Sequence, residues 1–105
     1  MTSRYRLTPR AVEDLGEVVE YLRALDPIVA VRFVESAEVT FDHLGHAPLA
    51  YPRYFSSLPR LVDLRWRPLT GSFDKYLVFY RVTGDVPIIV RIVHSARDLN
   101  RVFDE

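Results

Sequence analysis

The sequence predicts a single α+β domain spanning residues 1–105: an antiparallel β-sheet with an N-terminal α-helical hairpin packed on one face and a short C-terminal helix, in the order β-α-α-β-β-β-α. Three observations predict it. Apolar residues recur at steps of three and four through the first 45 positions, the step falls to two after residue 60, and a proline-punctuated stretch separates the two regimes. A chain of 105 residues and one apolar pattern of each kind leaves room for one core and no second domain.

Taken in order, Arg4 to Leu7 is short and extended in character. Thr8-Pro9 then gives a helix N-cap followed by proline at the first helical position, where the missing N–H costs nothing. Val12, Leu15, Val19 and Leu22 form an apolar stripe over Pro9 to Leu25, with Glu13, Asp14, Glu17 and Glu20 expected on the polar side. Asp26-Pro27 repeats the start signal, and Ala30, Phe33, Val34, Ala37, Phe41 and Leu44 carry a second stripe that ends near Gly45. So short a link makes the two helices an antiparallel hairpin.

Periodicity stops between Gly45 and Pro59, where Pro48, Pro52 and Pro59 punctuate a loop containing Tyr51, Tyr54 and Phe55. Leu61 to Arg67 alternates as a half-buried strand, and Tyr76 to Thr83 and Val86 to His94 are two further strands joined at Gly84-Asp85 as a tight hairpin. Ser95 to Phe103 reads as a short final helix. On the hairpin, Tyr76, Val78, Tyr80 and Val82 with Ile88, Val90 and Ile92 suit the face under the helices. The other face carries Leu77, Phe79, Ile89 and Val93 with Arg81 and Arg91, too apolar to face water, so either the chain's own loop and C-terminal helix or a partner must cover it.

Composition excludes several classes. There is no cysteine, which removes disulfides, thiolate metal sites and cysteine nucleophiles and fits a reducing cytoplasm. The N-terminus, Met1 to Leu7, has no apolar segment behind Arg4 and Arg6, so no signal peptide is expected, and the longest apolar run, Val86 to Val90, cannot span a membrane. Basic and acidic side chains number 14 each, so a generic polyanion binder is not expected. The balance is uneven along the chain: residues 1–50 sum to −3 and residues 51–105 to +3, and every basic residue except Lys75 is arginine, the residue suited to planar recognition of carboxylate or phosphate.

His43 and His46 lie three apart at a helix end, but a metal site needs further ligands that the neighbouring sequence does not offer. His94 ends a core strand and is followed by Arg97 and Asp98; the group could serve as base and anion clamp in phosphodiester cleavage, or simply cap the last helix. Arg65, Arg67, Arg81 and Arg91, if gathered on one sheet face, could grip RNA phosphates or a partner's carboxylates. No glycine-rich phosphate loop or nucleophile elbow is present, and no cofactor is implied.

The run Phe73 to Val82 (FDKYLVFYRV), the Gly84-Asp85 turn, the strand VPIIVRIVH and the sequence His94-Ser95-Ala96-Arg97-Asp98-Leu99 resemble the C-terminal half of the RelE/ParE superfamily of bacterial toxins; Tyr5 to Leu15 resembles its N-terminal pattern. The resemblance covers nearly the whole chain and implies the RelE/ParE-like fold. It also implies a type II toxin neutralised by a cognate antitoxin, of ribbon-helix-helix type with a disordered tail that wraps the toxin, operator DNA being met only through the antitoxin. Such a tail would account for the apolar second face, making Leu77, Phe79, Arg81, Ile89, Arg91 and Val93 the expected antitoxin-binding residues.

Within the superfamily, RelE-like members resemble ribosome-dependent mRNA nucleases, and ParE-like members inhibit DNA gyrase. For a nuclease the resemblance points to Arg65, Arg67, Arg81 and His94, but Leu77 stands where an arginine is expected and Phe103 where the catalytic tyrosine would be. Phenylalanine has no hydroxyl to exchange a proton. His94 is followed by Ser95, so a His-Tyr pair is missing too. The ending His94, Arg97, Asp98 resembles the ParE branch, for which Arg97, Asp98 and Arg101 are the expected target-binding residues. The expectation is a gyrase inhibitor, with a ribosome-dependent nuclease or a toxin of reduced potency that mainly binds its antitoxin as the alternatives.

Overall fold

The computed structural model describes residues 4–55 and 58–103. The chain runs through β1 (Arg6–Leu7), α1 (Pro9–Leu25), α2 (Pro27–His46), a 3-10 turn (Pro59–Leu61), β2 (Arg65–Pro68), a second 3-10 turn (Gly71–Phe73), β3 (Tyr76–Thr83), β4 (Val86–His94) and α3 (Leu99–Val102). Both helix starts form as the sequence dictates. The Thr8 side chain accepts from the Ala11 N–H at 3.1 Å, and Asp26 accepts from the Ile28 N–H at 2.9 Å. Asp26 also donates its own N–H to the Leu22 carbonyl at 2.7 Å, so one residue closes α1 and opens α2.

The four strands form one sheet in the order β1-β4-β3-β2. It is mixed where an antiparallel sheet was expected: β1 lies parallel to β4, pairing Arg6 with Ile88 and Leu7 with Ile89. The reason is connectivity, since α1 and α2 carry the chain across one face before the antiparallel β2-β3-β4 meander begins. β2 is also shorter than expected, because Pro59 starts a turn that takes up Leu61. The last helix begins only at Leu99, where Asp98 caps it. Gly84 takes φ +61° while Asp85 does not go positive, the pattern of a two-residue hairpin turn with glycine first.

Where the length suggested a single core, burial divides the interior into two, one on each side of the sheet, because the loop and the last helix return over the face that the hairpin leaves open. Under the hairpin lie Phe33, Phe41, Leu44, Leu69, Val78, Tyr80, Ile89 and Ile92. Beneath the opposite face lie Leu61, Leu64, Phe79, Val93 and Val102, with Tyr54, Trp66, Leu77 and Phe103 packed around them. The expected assignment of Ile88 and Val90 to the helix side does not hold. Phe79 pairs with Arg91 but Tyr80 pairs with Ile89, which leaves Val90 as an unpaired extra residue in β4. That bulge reverses the parity of β4, sending Ile89 under the helices and Val90 to the second core. On the helices, Val12 is 56% exposed, whereas Asp14, expected on the polar side, is buried. Gly45 is buried where α2 passes the incoming chain, and a Cβ there would come within 2.9 Å of the Arg4 Cβ.

Candidate functional site

The central polar element is a buried ion pair between α1 and β4. The Arg91 Nε donates to Asp14 Oδ2 at 2.8 Å and Nη2 donates to Oδ1 at 3.2 Å, a bidentate fork. Asp14 Oδ2 also accepts the Ile92 N–H at 2.9 Å, and Arg91 Nη1 donates to the Val102 carbonyl at 3.1 Å. One arginine therefore joins the first helix, the last strand and the last helix. Asp14 is the residue that sequence reasoning missed; its signal was its place three after Ala11 and four before Val18, on the face that packs inward.

Beside this pair a groove of about 650 Å³ opens on the second face. Its floor is apolar (Leu61, Leu64, Val90, Val102 and Phe103), and its rim is basic, made by Arg10, Arg60 and Arg81, with Arg91 buried in the ion pair behind them. Each rim arginine is oriented by the fold. Arg10 bonds Glu13 at 3.1 Å, a hydrogen bond that, with Asp14, raises the guanidinium above its ordinary value. Arg60 donates to the Phe103 carbonyl, and Arg81 donates to the Arg60 carbonyl and to Asp63 Oδ1, the latter at 2.9 Å. That contact holds the Asp63 carboxyl below its usual range. The groove thus presents three guanidinium groups around an apolar floor, a surface complementary to an acidic, amphipathic segment.

Arg65 and Arg67 sit elsewhere, at the β2 edge. Arg65 donates to the Tyr51 carbonyl at 2.7 Å, and Arg67 donates to the Tyr51 hydroxyl at 3.0 Å and to the Pro68 carbonyl at 2.8 Å. The Arg67 guanidinium also lies 4.7 Å from the centre of the Tyr51 ring and bonds His43 Nδ1 at 3.2 Å. These two arginines pin the proline loop to the sheet. Tyr80, buried below them, donates to the Pro48 carbonyl at 2.7 Å, and burial pushes its phenol up to about 12. His46 bonds the Asp42 carbonyl instead of converging with His43, and no cluster of three metal-ligating side chains occurs among the described residues.

His94 stands at the other end of the hairpin. Its ring meets Tyr76 edge-on at 5.0 Å, and its Nδ1 accepts the Ala96 N–H at 3.0 Å. Asp98 accepts the Asn100 N–H at 3.1 Å as the cap of α3, and Arg97 and Arg101 are exposed around it. The four residues expected for a nuclease are consequently dispersed. Tyr76 pairs with His94 and Arg81 with Ile88, so His94 and Arg81 lie five residues apart along β3, roughly 17 Å. Arg65 and Arg67 reach the loop on a third region.

The six residues expected to contact an antitoxin are also redistributed. Phe79 and Val93 are buried in the second core, Ile89 in the first, and Arg91 in the ion pair. Only Leu77 and Arg81 of the six keep appreciable surface. Of the two coverings expected for the second face, the chain's own is the one present: Tyr54, the turn at Pro59–Leu61 and α3 with Phe103 lie over it. What remains open is the groove beside them.

Among solved structures, a chain from the chromosomal ParDE TA system of P. aeruginosa matches with a TM-score of 0.67 at 22% identity, covering 86% of this chain and 92% of that one. No curated protein matches by sequence. No helix among the described residues is long and apolar enough to cross a membrane. A family model for the ParE toxin of the type II toxin-antitoxin system, parDE, matches residues 5–99, a span that takes in β1, the hairpin, the whole sheet, the ion pair and the start of α3. The chain therefore belongs to the ParE toxin family of type II toxin–antitoxin systems.

Proposed function

We propose that this toxin acts by binding, inhibiting DNA gyrase in the cytoplasm, and that a cognate antitoxin neutralises it. The observation that carries the choice of a binding mechanism over RNA cleavage is the dispersal of Arg65, Arg67, Arg81 and His94 over three regions of the sheet. General acid–base cleavage needs its groups within hydrogen-bond reach of one scissile bond. Arg97 and Arg101, exposed beside the short last helix, are the proposed contacts to the target, with Asp98 holding that helix in shape.

The basic, apolar-floored groove supports neutralisation by an acidic, amphipathic tail, and Leu77 and Arg81, which keep appreciable surface, are the proposed contacts among the six expected residues. The proposed antitoxin is a ribbon-helix-helix protein, through which alone the toxin would meet operator DNA. The test is supercoiling by purified gyrase with and without the chain. Inhibition at near-stoichiometric toxin, relieved by the protein encoded in the adjoining reading frame, is expected; no inhibition at stoichiometric excess, with cuts in translated message instead, overturns the proposal.

A further inference from the structure

The outer edge of β4 is only partly occupied. The Ser95 N–H donates to the Lys75 carbonyl at 2.7 Å and the Leu69 N–H to the Tyr76 carbonyl at 2.9 Å. These two bonds set the phase of the β3–β4 ladder: Tyr76 turns its backbone groups toward β2, and its partner His94, like Ile92 two residues before it, turns its own toward the open edge. β1 covers that edge only as far as Ile89 and Val90, through the Thr8 N–H and hydroxyl. Further along, Asp14 takes the Ile92 N–H and the Arg97 N–H takes the His94 carbonyl. The Ile92 carbonyl and the His94 N–H remain, with no hydrogen-bond partner among the described residues.

That remainder specifies a direction. An antiparallel neighbour exchanges both bonds with a single residue, and at Ile92 and at His94 alike one of the two groups is already taken. A parallel neighbour gives its N–H to the carbonyl of one residue and receives the N–H of the residue two further on, the pair left open here. β1 already runs parallel to β4 on the same edge, so an incoming segment would continue its line. A groove of about 220 Å³ leaves space for it, walled on the α1 side by Asp14, Glu17, Val18 and by Tyr21, which is 63% exposed.

We infer that the Ile92–His94 edge of β4 receives one extended segment of the cognate antitoxin in parallel orientation, clamping a single residue between the Ile92 carbonyl and the His94 N–H. This rests on the toxin–antitoxin reading above. The clamped residue sits opposite Val93, and the residues on either side of it face the α1 wall, where Val18 and Tyr21 suit an apolar side chain and Glu17 a basic one.

Proline and alanine at one position separate the backbone from the side chain. His94→Pro and His94→Ala both lose the imidazole; only His94→Pro loses the N–H, which no ladder bond uses. The full chain is co-expressed with the product of the adjoining reading frame, and dissociation of the complex is measured. The expected result is binding about tenfold weaker for His94→Pro than for His94→Ala, the effect of one backbone hydrogen bond. Amide exchange in the unsubstituted chain supplies a readout independent of folding of the variants: the His94 N–H exchanges freely in the toxin alone and is protected in the complex. Equal affinity of the two variants, or a His94 amide that exchanges alike in both states, overturns the inference and leaves the toxin–antitoxin reading standing. Failure of any complex to form overturns both.

Discussion

Replacing Asp14 by asparagine removes a charge and almost nothing else, because the amide oxygen can still accept the Ile92 N–H that Asp14 Oδ2 holds at 2.9 Å. What it leaves is Arg91, 6% exposed, with its bidentate partner gone. Removing one member of a buried pair typically costs about 3–5 kcal/mol, since the remaining charge stays desolvated without compensation. Small domains have about 5–15 kcal/mol in total, and each kcal/mol is worth roughly 4–8 °C in Tm at this size. Asp14→Asn is therefore expected to lower the thermal midpoint by about 12 °C or more and to bring the chain close to unfolding under mild conditions. Arg91→Met should cost a comparable amount, as it also releases the Val102 carbonyl at 3.1 Å. The double variant Asp14→Asn with Arg91→Met should recover a good part of either loss, because the unpaired charge is gone. Calorimetry on the four proteins makes the cycle. Single variants that each lose less than about 1 kcal/mol, or losses that simply add, would refute the reasoning that this pair is a desolvated, coupled unit.

Other expectations follow from single contacts. Tyr80, raised from 10.0 to about 12 in the fold by burial, contributes stability that is fully present below pH 10 and is lost as pH rises toward 12, so the alkaline fall in stability should be shallower in Tyr80→Phe than in the parent when urea midpoints are compared across that window. Gly16 lies in the exposed middle of α1, where a Cβ would meet nothing within 4 Å, and Gly16→Ala should raise stability by about 0.5–1 kcal/mol in urea unfolding. Asp98→Ala removes the cap on α3, a loss of about 1 kcal/mol; under the proposed mechanism, inhibition of supercoiling by purified gyrase should weaken in this variant while antitoxin binding measured by calorimetry is retained.

The two long helices were legible because each rests on local signals: Thr8-Pro9 and Asp26-Pro27 fix both starts, and the apolar steps fix most of the inward face of α2, whereas on α1 they misplaced Val12 and Asp14. The hairpin turn was equally plain, since Gly84-Asp85 permits one kind of connection. The bulge at Val90 was not, because Ile88, Ile89 and Val90 are all apolar and nothing in their order tells which one loses its partner. From that one residue follow the reversed faces of β4 at Ile89 and Val90, while Ile92 and Val93 beyond it keep the faces expected. The site fared less well for a related reason. Arginine reads as a surface residue, and only the fold shows that Arg91 points at Asp14, 77 positions earlier, and that Arg65 and Arg67 are spent on backbone carbonyls and Tyr51. Covering of the second face depends on where the loop around Tyr54 and the end of the chain return, a long-range outcome with no periodic signature.

The parallel seam between β1 and β4 bears on when the molecule can exist during its synthesis. Leu7 pairs with Ile89, the Thr8 hydroxyl reaches the Val90 carbonyl, and Asp14 meets Arg91 and Ile92, so the beginning of the chain is fastened to nearly its end. A ribosome that has made the helical hairpin has made two amphipathic helices with no sheet to lie on. Such long sequence separations slow folding and defer it until the last strand has emerged. Translation arrested anywhere before β4 accordingly releases a fragment with neither core complete, and the toxin is delivered whole or not at all.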